Sequence, residues 1–113
     1  MNLLDRLRGA LARRRDAARR LHAARAELDR LFAEPALLAQ GRLKPHHRHR
    51  ATILEVRGPA GEPIESVLFG IVRHPRPHPL APRGDDVLEL LEYRPAERSL
   101  RVVGASNLTR QRG

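Results

Sequence analysis

Cysteine and tryptophan are absent from this 113-residue sequence, and its aromatic residues are limited to two phenylalanines and one tyrosine. The absence of cysteine excludes disulfides, a thiolate nucleophile and a cysteine-ligated zinc site. No apolar run approaches the roughly 18–20 residues that cross a bilayer, and no signal-peptide core follows the start. We therefore expect a cytoplasmic protein with one modest core of leucine, valine, isoleucine and alanine.

Familiar catalytic motifs are absent as well, including a glycine-rich phosphate loop, an H-E-x-x-H zinc motif and a G-x-S-x-G nucleophile elbow. Ser66, Ser99 and Ser106 have no recognisable nucleophile context. We predict no catalytic and no cofactor-binding residue. A nuclease using histidines as general acid and base is a weak enzymatic alternative.

Lysine occurs only at position 44, yet the formal net charge is +9 because the chain is rich in arginine. Residues 1–50 carry 13 basic and 5 acidic side chains, whereas residues 51–113 carry 9 and 8. The excess positive charge thus lies almost entirely in the first half of the chain. Such an asymmetry is typical of proteins that contact nucleic acid or another polyanion.

The stretch from Leu3 to Glu34 contains no proline and repeats apolar residues with heptad spacing. Because alanine, leucine and arginine are strong helix formers, we predict one long amphipathic helix there. A further helical turn would follow, ended by Gly41. The expected helix interface comprises Leu4, Leu7, Ala10, Leu11, Ala17, Leu21, Ala24, Leu28 and Phe32.

Arginines flank this apolar face, with Arg6, Arg13 and Arg20 on one side and Arg8 and Arg15 on the other. The simplest interpretation is a helix packed on its own sheet, with local ion pairs Asp16–Arg20 and Arg25–Asp29. A helix seam in an oligomer is the second interpretation, although Arg14 and Arg25 would oppose their own copies there. An interfacial helix on anionic lipid ranks third, since Arg14 interrupts the face and few large apolar residues follow Leu11.

Four later segments predict strands: 51–57, 64–73, 87–94 and 99–103. Residues 64–73 are apolar on both faces, which favours the central position in a sheet. Residues 87–94 are ambiguous, because Asp85-Asp86 is also typical of a helix cap, but a hairpin with 99–103 is favoured. The fold class is therefore α+β, a long N-terminal amphipathic helix followed by a small antiparallel sheet of three to four strands.

The predicted organisation is a helical segment 1–41, a basic histidine-rich connector 42–50, a β domain 51–105 packed with the helix, and a frayed tail 106–113. If the first two strands pair about the turn at 58–63, the residue numbers of two facing residues add up to about 121–124. Residues 46–50 would then lie opposite 72–78, which gathers five of the six histidines. The predicted polyanion site comprises Arg42, Lys44, His46, His47, Arg48, His49, Arg50, Arg73, His74, Arg76 and His78.

Metal binding is a weak alternative for this cluster, with His47, His49 and His74 as its candidate ligands. Four neighbouring arginines would repel a divalent cation, and the run contains no carboxylate to act as a ligand. A solvated basic loop without any partner is the other alternative. Arginine forks and imidazoles suit phosphates better, so a polyanion contact is the functional interpretation that the residues favour.

The sequence therefore predicts a small basic, non-catalytic protein that contacts nucleic acid or a nucleoprotein through the phosphate backbone, since aromatic residues for base stacking are scarce. The alternative is a structural or assembly protein that uses the helix and the apolar sheet face for protein–protein contacts. Expected partners are nucleic acid or an acidic protein surface, with a possible homo-oligomer or larger assembly and no stable membrane insertion.

Overall fold

The computed structural model of the protein describes residues 2–58, 63–74 and 86–108. The elements are α1 (Leu3–Phe32), α2 (Pro35–Leu38), a 3-10 helix (Pro45–Arg50), β1 (Thr52–Arg57), β2 (Ser66–Arg73), β3 (Val87–Arg94) and β4 (Ser99–Asn107). The four strands form one antiparallel sheet in the order β1-β2-β3-β4. The predicted α+β class, the interior position of β2 and the β3–β4 hairpin are confirmed.

Local signals set both ends of α1. The side chain of Asn2 accepts a hydrogen bond from the backbone N–H of Asp5 at 2.8 Å, which caps the first turn. At the other end, Pro35 disfavours the helical conformation of the preceding residue, and Glu34 is extended with φ −94° and ψ 105°. The helix therefore ends at Phe32, two residues before the predicted end.

The core lies between the C-terminal half of α1 and one side of the sheet, which we call the inner face. Alternate residues of β2 and β3 point into it and are buried. Phe32 of α1 meets Phe69 of β2 edge to face, with ring centroids 6.4 Å apart. The buried cluster consists of Ala24, Leu28, Leu31, Phe32, Leu37, Leu43, Val67, Phe69, Ile71, Leu91 and Tyr93.

The N-terminal half of α1 does not take part in this packing. We call residues 3–16 the arm. Its four leucines are exposed by 72, 55, 52 and 51% at Leu3, Leu4, Leu7 and Leu11. Of the predicted helix interface, Ala24, Leu28 and Phe32 are buried and Ala10 and Leu21 are half-buried, but Leu4, Leu7, Leu11 and Ala17 are exposed. The simplest of the three interpretations, a helix packed on its own sheet, therefore applies only to the C-terminal half of α1.

Two physical reasons account for this division. A 30-residue helix is about 45 Å long, whereas strands of 6–9 residues span roughly 20–30 Å, so the sheet cannot cover it. A heptad pattern also drifts by about 20° per heptad around a straight helix, or about 80° from Leu4 to Phe32. The arm leucines consequently point in a different direction from the residues that face the core.

Arg20 fixes α1 to the end of β1 at the place where the arm begins. Its Nη2 donates hydrogen bonds to the carbonyl oxygens of Val56 at 2.7 Å and Gly58 at 2.8 Å. The predicted pair Asp16–Arg20 is thus replaced, and Asp16 lies 4.0 Å from Arg19. Arg25–Asp29 is not formed either, because Asp29 pairs with Arg48 instead. Two charge-assisted hydrogen bonds to part-buried backbone carbonyls are stronger than an exposed ion pair.

The strand register agrees with the sequence prediction. Thr52 lies opposite Gly70 and Val56 opposite Val67, and a bulge at Leu54 shifts the register by one residue. Strand β4 continues to Asn107, which pairs with Val87, so the predicted frayed tail begins too early. Ending β4 at residue 105 would leave the first two residues of β3 without partners on that side.

We expect the two halves of α1 to respond differently to the same substitution. Leu28→Ala should lower the free energy of unfolding by about 2–5 kcal/mol, because it opens a cavity in the core. Leu7→Ala should change it by less than about 0.5 kcal/mol, because that side chain is exposed. Chemical denaturation of both variants tests the division, and a comparable loss for Leu7→Ala would contradict it.

Candidate polyanion-binding surface

The predicted basic connector forms a regular element whose side chains are sorted into rows. In a 3-10 helix, residues three apart lie above one another, so Pro45–Arg50 presents three separate rows. The connector is not wholly exposed, because Leu43 precedes this helix and is 1% exposed within the core. That leucine anchors the start of the connector in the core.

One row faces α1 and is neutralised there. Arg48 Nε donates to Asp29 Oδ1 at 2.5 Å, and the Arg48 side chain is 27% exposed. This contact joins the connector to the C-terminal half of the helix. Arg48 belongs to the predicted polyanion site, but its charge is already paired within the chain.

The other two rows carry the remaining basic side chains of the connector. Lys44, His47 and Arg50 follow one another at intervals of three residues, and His46 and His49 form the neighbouring row. Lys44, His46, His49 and Arg50 are exposed, and none of these four has an ion-pair partner among residues 2–58, 63–74 and 86–108. We call Lys44, His46, His47, His49 and Arg50 the connector patch.

The pKa of His47 is lowered by its position on this surface. Burial lowers its pKa below the ordinary 6.5, and the charges of Arg73, His46, Arg50 and Lys44 lower it further. In addition, its Nδ1 accepts a hydrogen bond from the backbone N–H of Lys44 at 3.1 Å, which a protonated ring cannot do. The charge of Arg73 acts on His47, so the end of β2 lies near the connector. The predicted gathering of five histidines is not tested, because His78 lies outside the described residues.

The arginines at the strand end are less available than expected. Arg73 Nη2 lies 3.2 Å from Glu89 Oε1 and donates to the carbonyl oxygen of Arg42 at 2.5 Å. Arg42 Nη1 is 3.7 Å from the same carboxylate. His74 Nδ1 lies 2.7 Å from Asp86 Oδ1. Sequence reasoning missed Glu89 as the neutralising group, although its place opposite the end of β2 follows from the hairpin register. Arg76 and His78 lie outside the described residues.

No group of three or more potential ligands is positioned to hold a metal ion within the described part of the chain. His47 and His49 lie on different rows of the 3-10 helix, and His74 contacts Asp86. The three weak metal candidates therefore do not converge on one point.

A second set of free cations lies on the arm. Arg6, Arg8, Arg13, Arg14 and Arg15 are exposed and form no ion pair with any described residue. Only Asp5 and Asp16 oppose them within residues 3–16. The charge asymmetry of the sequence already indicated this surface. These arginines were predicted to flank the apolar face of the helix but were not included in the polyanion site.

Comparison with family models, with curated proteins and with solved structures found no match to this chain. None of the helices in the described ranges has the length and apolar character needed to cross a membrane.

The lowered pKa of His47 has a measurable consequence for stability. The unfolded chain binds a proton at this residue near pH 6.5, whereas the folded chain does so only at lower pH. The contribution of His47 to the free energy of unfolding is therefore complete above about pH 6.5 and is lost as the pH falls through the lowered folded pKa.

Arg73→Gln should raise the pKa of His47 towards its ordinary value, because it removes the largest of the charges that lower it. Titration of the ring signals by NMR measures this shift. Arg57→Gln is the control, since Arg57 lies at the opposite end of the sheet. An unchanged pKa in Arg73→Gln would show that the connector and the strand end are not neighbours in solution.

Proposed function

We propose that this chain is a small non-catalytic cytoplasmic protein that binds nucleic acid through its phosphate backbone, with the connector patch as the contact surface. The observation that carries the proposal is the row Lys44–His47–Arg50, in which Lys44 and Arg50 are exposed and have no ion-pair partner among the described residues. A bound phosphate would supply that partner. Charge-assisted hydrogen bonds from lysine and arginine would hold it.

Contacts to bases are not part of the proposal. Phe32, Phe69 and Tyr93 are exposed by 7, 0 and 5%, so the aromatic rings of the chain are committed to the core. Base stacking on aromatic side chains is the usual source of single-strand affinity. Without it, binding depends on phosphate geometry and charge, which favours a duplex or a structured RNA.

A second candidate function, assembly into an oligomer or a larger particle, is supported by the sheet. The side of the sheet opposite the inner face carries Leu68, Val72, Leu88 and Leu90, and none of them belongs to the buried core. Nearby Leu54 and Val103 are exposed by 48 and 44%. A contiguous apolar surface of this kind is typical of protein–protein contacts.

The phosphate proposal predicts a specific loss in the double variant Lys44→Gln/Arg50→Gln. Its affinity for a duplex should fall, and the slope of log K against log salt should become shallower by about one per lost contact. Titration of a fluorescent DNA or RNA duplex between about 50 and 200 mM salt measures both quantities.

The matched control is Arg19→Gln/Arg30→Gln, which lowers the net charge by the same amount. Those two arginines are paired along α1 with Asp16 and Glu27. If both double variants lose affinity equally, net charge alone accounts for binding. If neither loses affinity, the connector patch is not the contact surface.

A gain of affinity is expected from Glu89→Gln. Removing this carboxylate frees Arg42 and Arg73, which lie beside the patch. Binding at about 0.1 M salt should tighten roughly threefold to tenfold if one further phosphate contact forms. Glu55→Gln is the control, because it changes the net charge by the same amount beside Arg57, which lies away from the patch and keeps Glu92 at 3.7 Å. Equal gains in the two variants would contradict the location of the site.

A further inference from the structure

The arm combines exposed leucines with arginines, a combination that the connector patch lacks. Leu3, Leu4, Leu7 and Leu11 are each more than half exposed and occupy one side of the helix. At 3.6 residues per turn, Arg8 and Arg15 lie along one border of this leucine side, and Arg6 and Arg13 lie along the other. Asp5 and Asp16 are on the back of the helix. The acidic groups are thus farthest from the leucines, and the arginines are nearest to them.

The helical state of the arm depends on the rest of α1. An isolated helix of about 14 residues is marginal in water, because nucleation costs more than a few turns recover. Here the packed C-terminal half supplies the nucleus, and the arm extends from it. The exposed leucines contribute no free energy of burial to the helix. A partner that covers them would therefore stabilise the arm.

We propose that the arm adsorbs to an anionic lipid bilayer, lying in the plane of the headgroups. The leucines would enter the acyl boundary, and the bordering arginines would contact lipid phosphates. Charge complementarity supports this partner, since residues 3–16 carry five arginines and two aspartates. Adsorption of this kind does not require a helix that crosses the membrane. The proposal is independent of nucleic-acid binding at the connector patch.

Other partners fit the arm less well. In a pair of arms, the positive borders of two copies would face each other, and Arg14 would lie within the apolar contact. In a nucleic-acid groove, the leucines between the arginines would face polar base edges. A bilayer has no such conflict, because the long side chain of Arg14 can extend to the headgroups while its methylenes stay among the lipids.

The structure limits the part of α1 that would have to contact lipid. Large apolar residues are scarce between Leu11 and Leu21, which weakens a lipid helix that spans the whole of α1. Leu21 is half-buried and lies beyond Arg20, which fixes α1 to β1. Only the leucine-rich turns of the arm are therefore required to meet the bilayer.

The test is cosedimentation of the full chain with vesicles of neutral phosphatidylcholine, and with vesicles that contain about one third phosphatidylglycerol. We expect binding to the anionic vesicles that weakens with salt. Leu4→Gln/Leu7→Gln/Leu11→Gln should weaken it by about tenfold per leucine. Val102→Gln is the control and should bind as the unmodified chain does, because that valine is exposed by 37% but lies on β4, away from the arm.

The arginines are tested separately. Arg8→Gln/Arg15→Gln should lower the affinity for anionic vesicles by about fivefold per arginine. The triple leucine variant should keep its affinity for duplex, since its charges are unchanged. Retained duplex binding in this variant would separate the lipid proposal from the nucleic-acid proposal. If Lys44→Gln/Arg50→Gln keeps its duplex affinity, the nucleic-acid proposal fails and the lipid proposal is unaffected.

Three results would overturn the proposal. The first is the absence of binding to anionic vesicles at low salt, and the second is equal binding to neutral and anionic vesicles. The third is a dimer in sedimentation velocity that the triple leucine variant abolishes while vesicle binding is unchanged. In that case a second copy of the chain covers the leucines.

Discussion

The packing of Leu28, Leu31 and Phe32 on the inner face of the sheet is the contact on which the remaining structure depends. It places a helix of about 45 Å over strands that are much shorter, so one end of the helix must extend past them. Because the large buried side chains are at the C-terminal end, the N-terminal end is the one that extends. The longest dimension of the molecule, 64 Å, reflects this arrangement.

Ion pairing decides which of the many arginines are available to a partner. Glu89 holds Arg42 and Arg73, and on the opposite side of the sheet the buried carboxylate of Glu92 lies 3.7 Å from Arg57 and 3.0 Å from Arg101. Hydrogen bonding from Arg94 contributes most to lowering the pKa of Glu92, and the charge of Arg101 adds to it. The sheet is thereby nearly neutralised. Among the described residues, the largest groups of unpaired positive side chains are the connector patch and the arm, which are separate surfaces, and Arg25 and Arg98 are also unpaired.

Much of the fold follows from local signals in the sequence. Heptad spacing and the absence of proline predict α1, and the glycine–proline turn together with alternating apolar residues predicts the β1–β2 register. The site was predicted less completely. A heptad pattern contains no information about where the sheet ends, so it could not predict that Leu4 and Leu7 are exposed. Contacts such as Arg48–Asp29 join residues 19 positions apart and depend on how helix and connector meet, which periodicity does not specify.

The hydrogen bonds of Arg20 make α1 a lever with its pivot near the end of β1. One of the two carbonyls that hold the pivot belongs to Gly58, whose φ of +131° is a conformation that other residues rarely adopt, and a Cβ there would lie 3.0 Å from the backbone nitrogen of Glu65. From Arg20 to Leu3 the helix measures about 25 Å, so a tilt of about 10° at the pivot moves the tip by roughly 4 Å. A small change in the angle at which α1 meets β1 is therefore enlarged at the free end of the arm.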